Sequence, residues 1–281
     1  MGEIYSEIIG TGSYLPEKIL TNDDLSKMVD TSDEWIYTRT GIKQRHIAAD
    51  NEYTSDLAVN AIKNALDNAK ISAENVDLLI VATITPDLVF PSTSCIIQKK
   101  LGLKNAVAFD VSAACSGFVY GLTMADAMIK SGAYKTAVVV GAETLTRIMD
   151  WNDRTTCVLF GDGAGAAVLR ATTEQTGIMS YSIKTDGNYL DCLKATGGPS
   201  STKSSGNIFM EGKEVFKLAV SRMPEISKEV VAKAGKTMAD VDCFIPHQAN
   251  VRIIDAALKN LEKYKYLIRK RIYCNGKIFI S

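Results

Sequence analysis

Short apolar runs alternate with helical patterns along the first part of the chain. VDLLIVAT, from Val76 to Thr83, is short and β-branched, which is typical of a buried strand. Helical periodicity returns after Pro91 in STSCIIQKKLG. A strand, AVAFDVSAA, then precedes a long helix, CSGFVYGLTMADAMIKSG, that we expect Gly132 to end. TAVVVGAET is predicted as a further strand, and CVLFGDGAGAAVL as two short strands about a glycine turn. This alternation predicts an α/β protein with a largely parallel sheet covered on both faces.

The order of elements repeats after the polar loop TGGPSSTKSSG. An amphipathic helix is predicted from about Glu214 to Ala234, and MADVDCFIPHQAN then aligns with AENVDLLIVATITP as an equivalent strand start. The repeat predicts two similar halves, residues 1–172 and 173–281. After its equivalent helix the second half retains only residues 262–281, so we expect it to lack its last strands. We interpret this tail as a frameshifted or aberrant end, or as a divergent basic strand and tail.

The amino-acid composition and the net charge indicate which classes of binding partner to expect. The 281 residues are 46% hydrophobic and 23% charged, which suits a large α/β domain or two fused halves. Thirty-two basic residues balance 32 acidic ones, so the net charge gives no reason to expect nucleic acid or a membrane surface as the main partner. No stretch approaches the ~18 apolar residues of a membrane-spanning helix. We therefore expect a cytoplasmic protein.

Cys115 is the strongest candidate nucleophile among six cysteines. None belongs to a Cys-x-x-Cys pair, so the sequence predicts reduced thiols and no metal site. Cys115 follows a strand and opens a predicted helix, where unpaired N–H groups and the helix dipole favour a thiolate. The small neighbours Ala114, Ser116 and Gly117 leave room for a substrate carbonyl, and nearby N–H groups could hold an oxyanion. The alternative is a structural cysteine in a tight turn.

His247 is the candidate partner of that nucleophile. It lies in FIPHQAN, after a predicted strand and before a helix, at the edge that corresponds to Cys115 in the other half. An imidazole there could donate a hydrogen bond to an enolate or move protons. The alternative is an ordinary loop histidine. His46, the other histidine of the chain, is predicted to be a surface residue.

Six segments, in order, make the chain similar to the β-ketoacyl-acyl-carrier-protein synthase III family across residues 1 to about 261: SDEWIYTRTGIKQRHIA, FPSTSCIIQKKLG, DVSAACSGFVYGL, FGDGAGAAVL, MEGKEVFK and IPHQANVRII. The resemblance implies a duplicated thiolase-like fold with α-β-α-β-α layers, its second half incomplete here, and a homodimer. It implies an acyltransferase, with acyl-CoA as substrate and no cofactor, that condenses acetyl-CoA or another short acyl-CoA with malonyl-acyl carrier protein. Cys115 would be the nucleophile, and His247 would stabilise the enolate.

The same resemblance assigns the binding residues. Trp35, Arg39 and Arg154 match positions that hold the adenine and phosphates of CoA, and Asn250 matches a position near the pantetheine arm. Phe90 matches a residue that lines the partner subunit's acyl pocket. A carrier-protein segment and its basic patch are matched by Gln248, Ala249, Asn250, Val251, Arg252, Lys217 and Lys259. For these charges the alternative is a solvated helix face.

One departure from the family concerns the second enolate donor. The family carries a catalytic Asn in a Gly-Asn-Thr-Ser segment after the histidine, and this sequence contains no such segment. Asn275 has different flanking residues and does not take that role. The departure keeps two other hypotheses open, a polyketide-type starter condensing enzyme and a non-catalytic truncated relic that binds acyl-CoA or partners.

Overall fold

The computed structural model describes residues 2–261 and 278–280. The chain forms two compact units that interleave along the sequence. The first unit comprises residues 1–19, 46–146 and 161–179, and the second comprises residues 20–45, 147–160 and 180–281. The predicted division at residues 172 and 173 concerns duplicated halves and stays a prediction.

The first unit is built on a five-stranded sheet with three helices. Its strands are β1 (Tyr5–Tyr14), β4 (Leu78–Ala82), β5 (Val107–Val111), β6 (Thr136–Thr144) and β7 (Asp162–Thr172), and its helices are α3 (Thr54–Ala69), α4 (Thr93–Leu101) and α5 (Gly117–Lys130). The strand order is β1-β7-β6-β4-β5. Between the segments of the two units run two further strands, β2 (Lys18–Thr21) and β3 (Gln44–Ile47), which form a small sheet of their own.

The sheet is mixed but largely parallel, as expected, because only β7 runs against the other four strands. β4 runs parallel to both β5 and β6, and β7 is antiparallel to β6 and to β1. The segment predicted as two strands about a glycine turn is corrected. Gly163 and Gly165 stay in the ladder, paired with Glu143 and Gly141, so β7 continues through them as one strand.

Each face of the sheet carries its own apolar cluster. Val138 and Val140 of β6 pack on the face covered by α3, whereas Val139 belongs with Leu122 and Ile129 of α5 on the other face. This alternation follows from the two-residue period of a strand. α5 approaches the sheet so closely that a Cβ at Gly121 would lie 2.7 Å from Val139 Cγ1. The small residues of α5 therefore set its distance from β6.

The second unit contains four helices and four short strands among its described residues. The helices are α1 (Asn22–Leu25), α2 (Asp33–Thr40), α6 (Gly212–Lys233) and α7 (Val251–Asn260); the strands are β8 (Leu193–Ala195), β9 (Ile208–Met210), β10 (Cys243–Ile245) and β11 (Ile278–Ile280). α7 packs against both α6 and α2. None of the helices in residues 2–261 has the length and apolar character needed to span a bilayer.

The internal repeat is visible in the order of these elements. In the first unit a 3-10 turn at Ala73–Asn75 leads into β4, and in the second a 3-10 turn at Met238–Asp240 leads into β10, each strand being followed by a helix. β11 pairs in parallel with β10, with Cys243 opposite Ile278. The expectations about the rest of the tail, including Asn275, fall on residues 262–277 and lie outside the described residues.

Candidate active site

Cys115 lies in the turn that joins β5 to α5. The turn is a short 3-10 helix, Ala114–Ser116, and α5 begins only at Gly117, which corrects the expectation that Cys115 opens the helix. Ala114 adopts φ +46°, the left-handed region that residues with a Cβ seldom occupy. Strain of this kind recurs where a fold must present one side chain in a fixed position. Here the strained turn leaves Cys115 exposed at the carboxyl end of the sheet.

The surroundings of Cys115 favour the thiol rather than the thiolate. Desolvation by the surrounding protein raises its pKa, and the negative charge of Glu143 raises it further. The sulfur can be reached by solvent although protein encloses it on most sides, so exposure and desolvation coexist. This shift runs against the thiolate that the sequence reasoning expected at this position.

Glu143 near the end of β6 is a residue that the sequence reasoning missed. Its carboxylate accepts hydrogen bonds from the Ile84 amide at 2.9 Å and from the hydroxyls of Thr85 at 2.5 Å and Thr83 at 3.2 Å. Burial raises the pKa of Glu143, and these hydrogen bonds oppose that shift. A signal was present in the sequence, since an acidic residue interrupts the apolar strand TAVVVGAET.

His247 lies in the second unit, between β10 and α7. Its side chain is reached by solvent, yet desolvation by the protein around it lowers its pKa. The imidazole is therefore neutral around pH 7 and carries one N–H donor. Next to it, Gln248 Nε2 donates to the Pro246 carbonyl at 2.9 Å, which braces the loop.

The predicted carrier-protein segment covers the start of α7. Asn250 is the N-cap residue, and its side chain accepts from the Arg252 amide at 2.8 Å, so its Oδ1 is used by the helix. Arg252 and Lys259 are exposed, while Lys217 on α6 pairs with Glu214 at 2.7 Å. Ala249 and Val251 are half-buried.

Trp35, Arg39 and Arg154 come together as one cluster within the second unit. The Arg39 guanidinium carbon lies 4.4 Å from the Trp35 ring centroid, and that of Arg154 lies 5.3 Å from it. Arg154 is held by Asp30, whose carbonyl and carboxylate accept from Nη1 at 2.7 and 3.2 Å. An aromatic plane with two guanidinium groups suits a purine base bearing phosphates. We call these three residues the Trp35 clamp.

The Trp35 clamp is linked to the start of α7. α2, which carries Trp35 and Arg39, packs against α7, and a Cβ at Gly41 would lie 3.2 Å from Val251 Cβ. Gly41 has φ +77°, so it both ends α2 and permits this approach. Residues predicted separately for CoA and for the carrier protein therefore lie on two helices in contact.

Phe90 is the most exposed of the large apolar side chains that the structure describes. It is 83% exposed, and its neighbours Leu88 and Val89 are also exposed. The base of this loop is anchored, because the Asp87 carboxylate accepts from the Ser55 amide at 2.9 Å and hydroxyl at 2.6 Å. An anchored loop thus presents three apolar side chains to solvent.

Comparison with known proteins agrees with this architecture. The family model for 3-oxoacyl-[acyl-carrier-protein] synthase III matches residues 109–187, and the model for its C-terminal part matches residues 231–265. The structure of 3-oxoacyl-[acyl-carrier-protein] synthase III from Aquifex aeolicus superposes with a TM-score of 0.88 at 47% identity, over 98% of this chain and 84% of that one. The fold thus places the chain among the thiolase-like condensing enzymes.

Relatives narrow the family further. β-Ketoacyl-[acyl-carrier-protein] synthase III of Xanthomonas oryzae is 54% identical over 264 residues, which are 92% of this chain and 81% of the relative. The protein of the same name from Thiobacillus denitrificans is 56% identical over 259 residues, with the same coverage. The chain belongs to the β-ketoacyl-acyl-carrier-protein synthase III family.

Proposed function

We propose that this protein condenses acetyl-CoA, or another short acyl-CoA, with malonyl-acyl carrier protein to start fatty-acid synthesis. The observation that carries the proposal is the position of Cys115, exposed on a strained turn at the carboxyl end of the sheet. The family membership and the Trp35 clamp support it. No cofactor enters the proposal, since acyl-CoA is a substrate.

The first half-reaction is acyl transfer to Cys115. The Cys115 thiol loses its proton and attacks the thioester carbonyl, the oxyanion collapses, and CoA leaves as a thiol that takes up a proton. Because the surroundings of Cys115 raise its pKa, proton removal is part of this step. The small residues around Cys115 leave room for the tetrahedral intermediate.

The second half-reaction is decarboxylation of the malonyl thioester. Carbon dioxide leaves, the electron pair forms an enolate, and the enolate carbon attacks the acyl-Cys115 carbonyl and releases the thiolate. His247 fits the role of enolate donor because its lowered pKa keeps the imidazole neutral with an N–H to give.

Substrate binding is divided between the helices of the second unit. The Trp35 clamp takes the adenine and phosphates of CoA, and the amide nitrogen of Asn250 serves the pantetheine arm, since its oxygen caps α7. Arg252 and Lys259 bind the acidic carrier protein through their positive charges, and residues Gln248 to Val251 form the rest of the binding surface. Lys217 joins them by leaving its ion pair with Glu214 and pairing with carboxylates of the carrier protein.

Homodimerisation and acyl-chain selection are proposed together. The exposed Leu88, Val89 and Phe90 form an apolar run of the kind that a partner surface covers. Phe90 then lines the acyl pocket of the second copy. A cytoplasmic location goes with this activity, since that compartment keeps thiols such as Cys115 reduced.

One specific likeness favours a second candidate. The priming β-ketosynthase of a polyketide biosynthetic pathway superposes with a TM-score of 0.87 at 35% identity, over 94% of this chain and 80% of that one. Both activities use the same nucleophile, so they differ in the acyl-CoA that is accepted. A preference for acetyl-CoA supports the first candidate, and a preference for longer or branched starters supports the second.

The proposal is tested by mixing the protein with acetyl-CoA and malonyl-acyl carrier protein and detecting acetoacetyl-carrier protein by mass spectrometry. We expect product from the wild type, none from Cys115→Ala, and strongly reduced product from His247→Ala. Acetylation of Cys115 without any condensation product would contradict the proposal and indicate a relic that has lost the decarboxylative half-reaction.

A further inference from the structure

Glu143 lies on the face of the sheet that α5 covers, and Cys115 lies in the turn that leads into α5. A Cβ at Gly121 would meet Val139 Cγ1 at 2.7 Å, and one at Gly141 would lie 3.7 Å from Phe118. Val139 and Gly141 of β6 therefore face α5. Strand alternation places the Glu143 side chain on that same face, toward the end of β6 where α5 begins.

The ends of the neighbouring strands complete the arrangement. Ala82 pairs with both Gly141 of β6 and Val111 of β5; β4 and β5 end at this level, and β6 continues to Thr144. Gly117, the first residue of α5, packs on the end of β4, since a Cβ there would lie 2.9 Å from Ala82 Cβ. Cys115 and the carboxylate of Glu143 therefore share one corner of the first unit.

The hydrogen bonds around Glu143 favour its ionised form. The Thr83 hydroxyl accepts from the Thr85 amide at 3.1 Å, and the Thr85 hydroxyl accepts from the Thr144 amide at 2.9 Å, so both hydroxyls can direct their protons to Glu143. The Ile84 amide supplies a third donor. Three donors stabilise a carboxylate and oppose the effect of burial, which raises the pKa of Glu143.

No cation forms an ion pair with Glu143 in the part of the chain that the structure describes. The segment from Thr83 to Thr85 carries no titratable side chain. Cys115 is the titratable residue of the turn before α5, and Tyr120 is that of the first turns of α5. The nearby acids occupy the opposite face of the sheet: Asp110 accepts from the amides of Thr93 and Ser94, and Asp162 accepts from those of Ala48 and Thr146. Among the described residues, Glu143 thus has hydrogen-bond donors but no ion-pair partner.

We propose that Glu143 is a positioning residue for the chemistry of Cys115, a fixed negative charge that keeps the resting nucleophile protonated and its thiolate strongly basic when formed. Such a charge limits reaction of the free thiol with unspecific electrophiles between turnovers. It also strengthens the nucleophile in the attack itself, because thiolate reactivity rises with basicity. The inference rests on the proposed function of Cys115 as the acyl acceptor.

The test is the pH profile of Cys115 alkylation by iodoacetamide, an uncharged reagent, followed on the Cys115 peptide by mass spectrometry. Glu143→Gln removes the charge and keeps the shape, so the midpoint of the profile should fall by roughly one pH unit. Roughly tenfold more thiolate with about threefold lower reactivity gives a rate about threefold higher below the midpoint and about threefold lower on the plateau. The two profiles therefore cross.

Two variants separate charge from structure. Glu143→Asp retains the charge and should restore most of the wild-type midpoint. Asp126→Asn removes a buried carboxylate that lies about 14 Å along α5 from its first residue, Gly117. This variant should leave the midpoint of the Cys115 profile unchanged. If circular dichroism shows that Glu143→Gln does not fold, Glu143→Ala replaces it with the same expected direction.

Superimposable profiles for wild type and Glu143→Gln would overturn the inference, as would an equal shift in Asp126→Asn. Acetylation of wild-type Cys115 by acetyl-CoA is measured alongside. A crossing of the profiles without acetylation would leave the Glu143 inference standing and refute the proposed function. Acetylation with superimposable profiles would do the reverse.

Discussion

Trp35→Ala should weaken the binding of CoA thioesters and spare that of substrates without a nucleotide. Trp35 is half-buried and lies 4.4 Å from the guanidinium carbon of Arg39 and 5.3 Å from that of Arg154, so its loss removes the base platform and the ring contact of both guanidinium groups. Stacking of a base on an aromatic side chain contributes about 1–3 kcal/mol. The corresponding loss of affinity is about 5- to 150-fold.

The assay compares acetyl-CoA with acetyl-pantetheine as acyl donors to Cys115. Acetyl-pantetheine carries the thioester and the arm but neither adenine nor phosphates, so its KM should be unchanged in Trp35→Ala while that of acetyl-CoA rises. The maximal rate should stay close to the wild-type value with both donors, since the nucleotide of CoA takes no part in the acyl transfer.

Tyr37→Ala is the matched control for this prediction. Tyr37 lies on the same helix and is also approached by a cation, with Lys43 Nζ 5.0 Å from its ring centroid, but it is outside the Trp35 clamp. It should leave the KM for both donors unchanged. An equal rise of KM for both donors in Trp35→Ala, or no rise for acetyl-CoA, would refute the assignment of the clamp to the nucleotide.

Two predictions concern stability. Gly121→Ala places a methyl group 2.7 Å from Val139 Cγ1 and should lower the free energy of unfolding by about 1–3 kcal/mol in urea titrations, whereas Gly165→Ala, with open space around its Cβ, should change it little; equal effects would contradict the packing of α5 described above. Hydrogen bonds from Thr21, then Lys27, lower the pKa of Asp24 to about 2. The ionised form is thus stabilised in the fold, so Asp24→Asn should lower the melting temperature at pH 7, and the difference should shrink as the pH falls from about 4 toward 2. A difference that stays constant over this range would argue against the lowered pKa of Asp24 in the folded protein.

Pattern and resemblance were sufficient to predict the class of fold. TAVVVGAET forms β6 with the bounds predicted, and Gly132, at φ +80°, follows α5 as its stop. These features depend on local periodicity and on the conformational freedom of glycine, which are legible in one sequence. The reversed direction of β7 was not predicted, because strand direction is decided by pairing between distant segments.

The electrostatics of Cys115 could not be predicted from the sequence. Its helix was expected to stabilise a thiolate, but the 3-10 turn removes Cys115 from the helix terminus, and Glu143 is 28 positions away along the chain. Only the register of α5 on β6 brings the two residues to one corner. The same holds for the clamp, where Arg154 reaches Trp35 from a segment more than 100 residues distant.

The central claim is that Cys115 accepts an acyl group from CoA, and intact-mass spectrometry tests it most directly. The purified protein is incubated with acetyl-CoA beside Cys115→Ala, each variant first shown to be folded and soluble. The account predicts one acetyl group on the wild type and none on Cys115→Ala. A soluble, folded wild-type protein that gains no acetyl group, or a Cys115→Ala variant that gains one, would contradict it.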